Sequence, residues 1–343
     1  MLNIHATKEK EDMLMSKFKF ETVPINICNW FRNKSNMRKI FKVIYSIFRF
    51  ILLLALSYIV IYPLIYMLTS AFKPMDQAMD PSVVWVPKSL SFANFAEAFK
   101  LMDYPRSFLV SVLTLILPGM VEVLTCAIAA YGFARFQFRE RNFLFMLVLV
   151  TIIVPPETMI SSLYLQYANL DFFGILGLIS NIIGKNIRPS IIDTPFTFLL
   201  PSIFGAGLRS GLFIFIYRQF FKGLPRELEE AAYVDGAGPL RTFFRIVLPT
   251  AGPSILCVFL FSMIWHWNEY NLSTMFMVEN TPLPFQVSQL KSMVIQNAPE
   301  YSIPVVLNIL MAGCVLFLLP MLILYLVAQK YFIQSIDRVG LVG

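Results

Sequence analysis

The sequence predicts an all-α membrane protein, a bundle of six transmembrane helices, on three observations. Only 14% of the residues are charged and 57% are hydrophobic, against about 25% charged in an ordinary soluble domain. The apolar residues gather into runs of roughly 20, the length a helix needs to cross the hydrocarbon layer. Within those runs apolar and polar residues do not alternate, which argues against a membrane β-barrel. In lipid the remaining way to pair every backbone N–H and C=O is the helix. The mean hydropathy of +0.67 agrees.

Residues 1–49 precede the first span and read as a cytoplasmic N-terminal region with a polar start. The first long apolar run begins near Ile40, behind a charged stretch too long for a signal n-region, so no cleaved leader is expected. The first span is expected over 50–72, stopping at Lys73-Pro74, with an external loop to 106. The others are expected over 107–134, 143–168, 196–220, 253–270 and 303–328, followed by a cytoplasmic tail over 331–343. Residues 172–183 are apolar but short and glycine-containing, and suit a re-entrant or interfacial piece. No internal repeat is visible.

Six spans put both termini on one side, and the basic residues choose which. With the termini in the cytoplasm, the inside segments carry 20 Lys and Arg and the outside segments 7, with Arg209 left in the fourth span. That is the positive-inside asymmetry of a cytoplasmic membrane protein. It accounts for the net charge of +7 without nucleic acid. The four cysteines, Cys28, Cys126, Cys257 and Cys314, form no CxxC pair, and three lie within apolar runs as small packing residues. Two histidines, His5 and His266, are too few for a histidine metal site.

The inside loop over 223–249, GLPRELEEAAYVDGAGPLRTFFRIVLP, is the most informative segment. Gly223 and Pro225 break the incoming helix, and Pro225 suits the first turn of a new one. Glu227, Glu229 and Glu230 fall in its first turns, where the helix dipole favours negative charge. Ala231 and Ala232 offer a surface that another protein can approach closely. Asp235-Gly236 ends the helix, since glycine accepts the left-handed conformation. A second helix opens at Pro239, with Leu240, Phe243, Phe244 and Val247 on one apolar face, and Pro249 stops it.

Glu230-Ala231-Ala232, then Gly236, Ile246 and Leu248-Pro249, resemble in identity and spacing the EAA loop of binding-protein-dependent ABC importer permeases. The resemblance covers 107–328, the permease core. Trp267-Asn268-Glu269-Tyr270 resembles a stretch of the fifth helix in maltose-type oligosaccharide permeases; Arg218-Gln219-Phe220-Phe221 and the external segment 87–99 fit the same group. It implies a type I importer permease core, translocating a carbohydrate, with the loop as coupling helix. Glu230, Ala231, Ala232 and Gly236, with Asp235 beside them, and the Ile246, Leu248 and Pro249 positions would then serve an ABC ATPase. It further implies a second, different permease subunit, an extracytoplasmic solute-binding protein, and ATP held by the ATPase alone. The N-terminal extension and the 169–194 loop exceed the compact members, so nothing is carried into them.

Ionisable residues at membrane depth face cavities or partners. Glu122, Glu157 beside Pro155-Pro156, Arg209 and Glu269 are candidates for the substrate path, with Trp267, Asn268 and Tyr270. Aromatic faces with hydrogen-bonding neighbours suit sugars. Trp265, Trp267 and Tyr270 equally suit the interfacial belt, Glu122 a partner on another helix, Arg209 snorkelling or assembly, and Asn308 a helix–helix hydrogen bond. No GxSxG, HExxH or phosphate-loop pattern occurs, so no enzyme is expected: Gly184-Lys185 is preceded by Ile179 where a phosphate loop needs glycine. Three rivals remain: a stand-alone secondary carrier, an enzyme of lipid-linked sugars, and an importer of phosphate esters, polyamines or peptides. Cavity charge separates the last from carbohydrate.

Overall fold

The computed structural model describes residues 34–80, 86–171 and 174–340. His5, Cys28 and most of the expected N-terminal region lie outside them. The chain divides into two units, Met1–Ile65 and Tyr66–Gly343.

The first unit holds most of α1, Lys34–Phe72. Every side chain from Phe41 to Ile65 is exposed, as expected of a helix whose surroundings are lipid or another chain. At 1.5 Å per residue its 39 residues reach roughly 58 Å, well beyond the hydrocarbon layer. The helix therefore starts before the expected first span.

Every regular element of the second unit, among its described residues, is a helix. After α2 (Ala93–Leu101) comes a long helix made of α3 (Tyr104–Ser111), a π turn over Val112–Ile116, and α4 (Leu117–Arg135). Pro118 has no N–H to give the carbonyl four residues back, and the widened turn sits there. Tyr104–Arg135, Phe41–Phe72 and Ile303–Lys330 are long and apolar enough to cross a membrane unbroken.

The expected third span does not run straight. It is α5 (Arg141–Ile153), a turn over Pro156–Met159, and α6 (Ile160–Ala168), bent by 95°. Val154 is extended and Pro155-Pro156 remove two donors, so the helical ladder cannot continue. The fourth expected span also breaks, into α8 (Phe196–Ile203) and α9 (Ser210–Gly223), after the apolar helix α7 (Ile175–Ile183). Gly205 and Arg209 in the break are both left-handed, at φ 66° and 64°. The loop supplies α10 (Glu227–Val234) and α11 (Pro239–Thr242), leading at an 81° bend into α12 (Gly252–Trp267), which ends three residues earlier than expected. Then come α13 (Asn271–Phe276), α14 (Leu283–Asn297) and α15 (Ile303–Gly340), which runs past the expected end at 328. Among the described residues three helices are long and apolar enough to cross a membrane, or up to five if each bent pair is one span. The six expected spans are therefore not all reproduced as single helices.

Three apolar cores are present among the described residues, and the one around Leu115, Phe198, Leu272, Phe276 and Met277 borders the cleft described below. Of the remaining two, one packs α4, α9 and α12 around Cys126, Tyr131, Phe213, Tyr217, Phe221 and Phe243. The other gathers Trp267, Leu283, Leu290 and Ile309. Asn308 is buried there, and its amide nitrogen has no partner, in place of the expected interhelical hydrogen bond.

Candidate functional site

Two places concentrate polar chemistry: the 223–249 loop and a cleft among the broken helices.

In the loop, α10 ends as its sequence requires. Gly236 stands at φ 79°, its N–H bonds to the Tyr233 carbonyl at 3.0 Å, and the Ala237 N–H bonds to the Ala232 carbonyl at 2.9 Å. This is a Schellman turn, in which the left-handed residue is best a glycine. The helix has two faces. Glu227, Glu230, Ala231, Val234 and Asp235 are exposed, with Val234 at 87%. Glu229 and Ala232 are buried. The paired alanines thus divide, and only Ala231 is open to a partner.

The second arm differs from the amphipathic helix expected. A π turn over Phe243–Val247 inserts an extra residue ahead of Pro249. Phe243 and Val247 point into the core at 1% and 2% exposure, while Leu240 and Phe244 stay exposed at 71% and 46%. The single apolar face is therefore split. Ile246 and Leu248 are half-buried and Pro249 is exposed. The exposed side of the loop consequently carries apolar Leu228, Val234, Leu240 and Phe244 beside Glu230 and Asp235.

Glu229 finds a partner that no local pattern announces. Its Oε1 lies 2.6 Å from Arg135 Nε at the end of α4, both side chains under 10% exposed. Tyr131 Oη donates to Glu229 Oε2 at 3.1 Å, and Arg135 also donates to the Leu224 carbonyl at 2.9 Å. Nearby, Arg218 lies 3.8 Å over the Phe145 ring and donates to the Phe133 carbonyl.

The cleft, of about 660 Å³, lies where α5, α6, α8, α9, α12 and α13 meet. Arg209, Trp265, His266, Thr197, Tyr167 and Phe276 are among its lining residues. The helix breaks create it, since a straight α5–α6 or α8–α9 would close the space. Arg209 is exposed at the turn that opens α9, its guanidinium 5.9 Å from the Trp265 ring.

Behind this wall Glu122 is fully buried. Ser210 donates to its Oε1, and its Oε2 lies 3.2 Å from His266 Nε2. His266 Nδ1 is 2.9 Å from the Ser262 carbonyl, which requires the proton on Nδ1, and Ser262 Oγ donates to the Gly119 carbonyl at 3.0 Å. Gly207 leaves room for the carboxyl: a Cβ there would come 3.0 Å from Glu122 Cδ and 2.6 Å from Ser202 Oγ.

The other sequence candidates scatter. Glu157 is exposed on the Pro156–Met159 turn. Glu269 lies within electrostatic reach of Glu157 and Arg209, and its Oε1 accepts from the Leu272 N–H at 2.8 Å, capping α13. Asn268 donates to the Ile264 carbonyl at 2.8 Å, and Tyr270 is 40% exposed. Trp267 is not at the cleft: it is 1% exposed, donates to the Phe317 carbonyl at 3.1 Å and stacks on the Phe317 ring. Two residues earlier on the helix, Trp265 occupies the wall. Sequence patterns missed the partnerships of Arg135, Tyr131 and Ser210, which only tertiary packing creates. Among the described residues no three His, Cys, Asp or Glu side chains converge as a metal site needs.

The chain is similar to known proteins over most of its length. Residues 122–338 match the family described as binding-protein-dependent transport system inner membrane component. Over 291 residues the chain is 30% identical to the diacetylchitobiose uptake system permease protein NgcG of Streptomyces coelicolor, covering 84% of this chain and 86% of that one. It is 26% identical over 291 residues to the arabinooligosaccharides transport system permease protein AraQ of Halalkalibacterium halodurans, covering 84% and 93%. Its fold matches, with a TM-score of 0.64 and 21% identity, a crystal structure of a bacterial ABC transporter involved in import of the acidic polysaccharide alginate, over 88% of this chain and 98% of that one.

Proposed function

The chain belongs to the family of inner-membrane components of binding-protein-dependent transport systems, and from that premise we propose that it forms half of a pore carrying an oligosaccharide into a bacterial cell. The observation that carries the substrate class is the cleft. It brings the aromatic residues Trp265, Tyr167 and Phe276 and the exposed Arg209 guanidinium to the walls of one cavity. A sugar has apolar C–H faces and a polar rim, and needs both kinds of wall. The relatives named for diacetylchitobiose and arabinooligosaccharides support the same class.

Arg209 and the nearby Glu157 and Glu269 contribute the polar rim, Asn268 and Tyr270 its outer edge, and Glu122 and Trp267 act from behind the wall. The chain moves solute and transforms none. ATP is bound by a separate ABC ATPase, on which Glu230, Ala231, Asp235 and Gly236 dock. Ala232, Ile246, Leu248 and Pro249 hold that docking surface in shape. A second permease completes the pore, and a solute-binding protein delivers cargo from outside. Both termini lie in the cytoplasm, as the distribution of basic residues supports.

The test is gentle purification of the tagged protein from its native membrane, with identification of its companions, and uptake of labelled oligosaccharides by cells with and without the gene. Recovery of an ATPase, a second permease and a sugar-binding protein, with uptake lost on deletion, is expected. Undiminished oligosaccharide uptake with lost uptake of a phosphate ester, polyamine or peptide would move the cargo to that class.

A further inference from the structure

The geometry points to Arg135 and Glu229 as a positioning pair that transmits the coupling loop's motion to α4, and through α4 to the wall of the cleft. The inference rests on the coupling reading of the loop and deepens it.

The loop is covalently joined only to α9, through Gly223–Arg226, and to α12, through the Leu248–Thr250 turn. Nothing in the chain path ties it to α4. The tie is made by side chains. Arg135 holds the loop on both sides of the Pro225 turn: Glu229 by its Nε at 2.6 Å, and the Leu224 carbonyl by a terminal nitrogen at 2.9 Å. Tyr131, one turn earlier on α4, donates to the other Glu229 oxygen. The contact is buried, so water does not compete for it; Nε and Oε1 meet as an ion pair without a hydrogen bond between them, and the directional bonds that resist sliding are those of Tyr131 to Glu229 and of Arg135 to the Leu224 carbonyl.

The two neighbouring acids of α10 thus divide the work. Glu230 is exposed and faces outward, while Glu229 faces inward to its own subunit. From Arg135 the helix runs unbroken back to Glu122, roughly 20 Å at 1.5 Å per residue. There the Glu122 carboxyl is bonded to Ser210, the first residue of α9, and paired with His266 of α12. Both partners line the cleft. A displacement of α10 is therefore delivered, through one rigid helix, to the residues that shape the cavity.

The experiment uses the full complex of permeases, ATPase and solute-binding protein in nanodiscs. It reads ATP hydrolysis with and without the binding protein as isolated, and the amount of ATPase that co-purifies. In the unsubstituted complex the binding protein stimulates hydrolysis. Glu229→Gln and Arg135→Gln each lower that stimulation about tenfold with the ATPase still bound. Exchanging the charges, Glu229→Arg with Arg135→Glu, recovers most of it. Full stimulation in both single variants overturns the inference, as does loss of the ATPase itself, which would make the pair part of the docking surface. Failure of the inserted exchange variant to recover also overturns it. If none of these variants inserts, Tyr131→Phe decides: it keeps both charges and removes one hydrogen bond, so stimulation falls about twofold, and unchanged stimulation overturns the proposal. An unsubstituted complex without ATPase, or without stimulation, instead refutes the coupling reading on which the inference stands.

Discussion

Two carboxylates sit against α4, and their surroundings differ. Near its C-terminal end Glu229 meets a guanidinium at 2.6 Å. Further along the same helix Glu122 meets a serine hydroxyl and an imidazole, with Gly207 and Gly119 packed close by. The first is held by opposite charge, the second by a serine hydrogen bond in a tightly filled space. Removing charge should therefore hurt the first site, and adding volume should hurt the second.

The largest effect is expected from Glu229→Gln. It leaves the Arg135 guanidinium buried without its counter-charge, which costs about 3–5 kcal/mol. A steep drop in the thermal midpoint of the detergent-solubilised complex would register it, and an unchanged midpoint would show that the pair is not desolvated in solution. Next is Gly207→Ala. The added methyl meets Glu122 and Ser202 at 3.0 and 2.6 Å, an overpacking penalty of about 1–3 kcal/mol. The same substitution at Gly223, where nothing lies within 4 Å, is the control. Gly236→Ala forces a side chain into the left-handed turn at φ 79°, at about 1–2 kcal/mol. It should weaken ATPase retention more than it weakens the fold, which pull-down at graded salt would show. Gly236→Pro, which cannot adopt that turn at all, should abolish transport with insertion intact, read as uptake per inserted protein. Smallest is Glu122→Gln. The amide still accepts from Ser210, so the loss is about 1 kcal/mol or less. A loss as large as that of Glu229→Gln would erase the distinction between the two sites.

The same contrast explains what could be read in the sequence. The loop is local chemistry: Pro225, the acidic first turns, Gly236 and Pro249 each act on their own backbone, so its two arms and its turn were legible. Its faces were less so, because the π turn over Phe243–Val247 changes the register that 3.6-residue spacing assumes. Helices were legible from apolar runs, but their breaks were only half visible. Pro155-Pro156 announced a kink, whereas the Phe204–Arg209 interruption depends on left-handed Gly205 and Arg209, which composition does not reveal. The cleft is assembled from six separate helices. Glu122 and Arg209 drew notice by being ionisable in apolar surroundings, but a side chain's direction on a helix is not spelled out by its identity. Trp265 and Trp267 are two residues apart, and one lines the cleft while the other fills a core. Arg135 read as one more inside charge, because nothing near it in sequence names Glu229.

The most direct test of the central claim is solute flux in proteoliposomes holding the complete complex, with a labelled oligosaccharide and the binding protein on the outer side. Accumulation that requires both ATP at the motor face and the binding protein is the predicted result. Flux of equal rate from this chain alone, without ATP or ATPase, would contradict the account and make the protein a self-sufficient carrier.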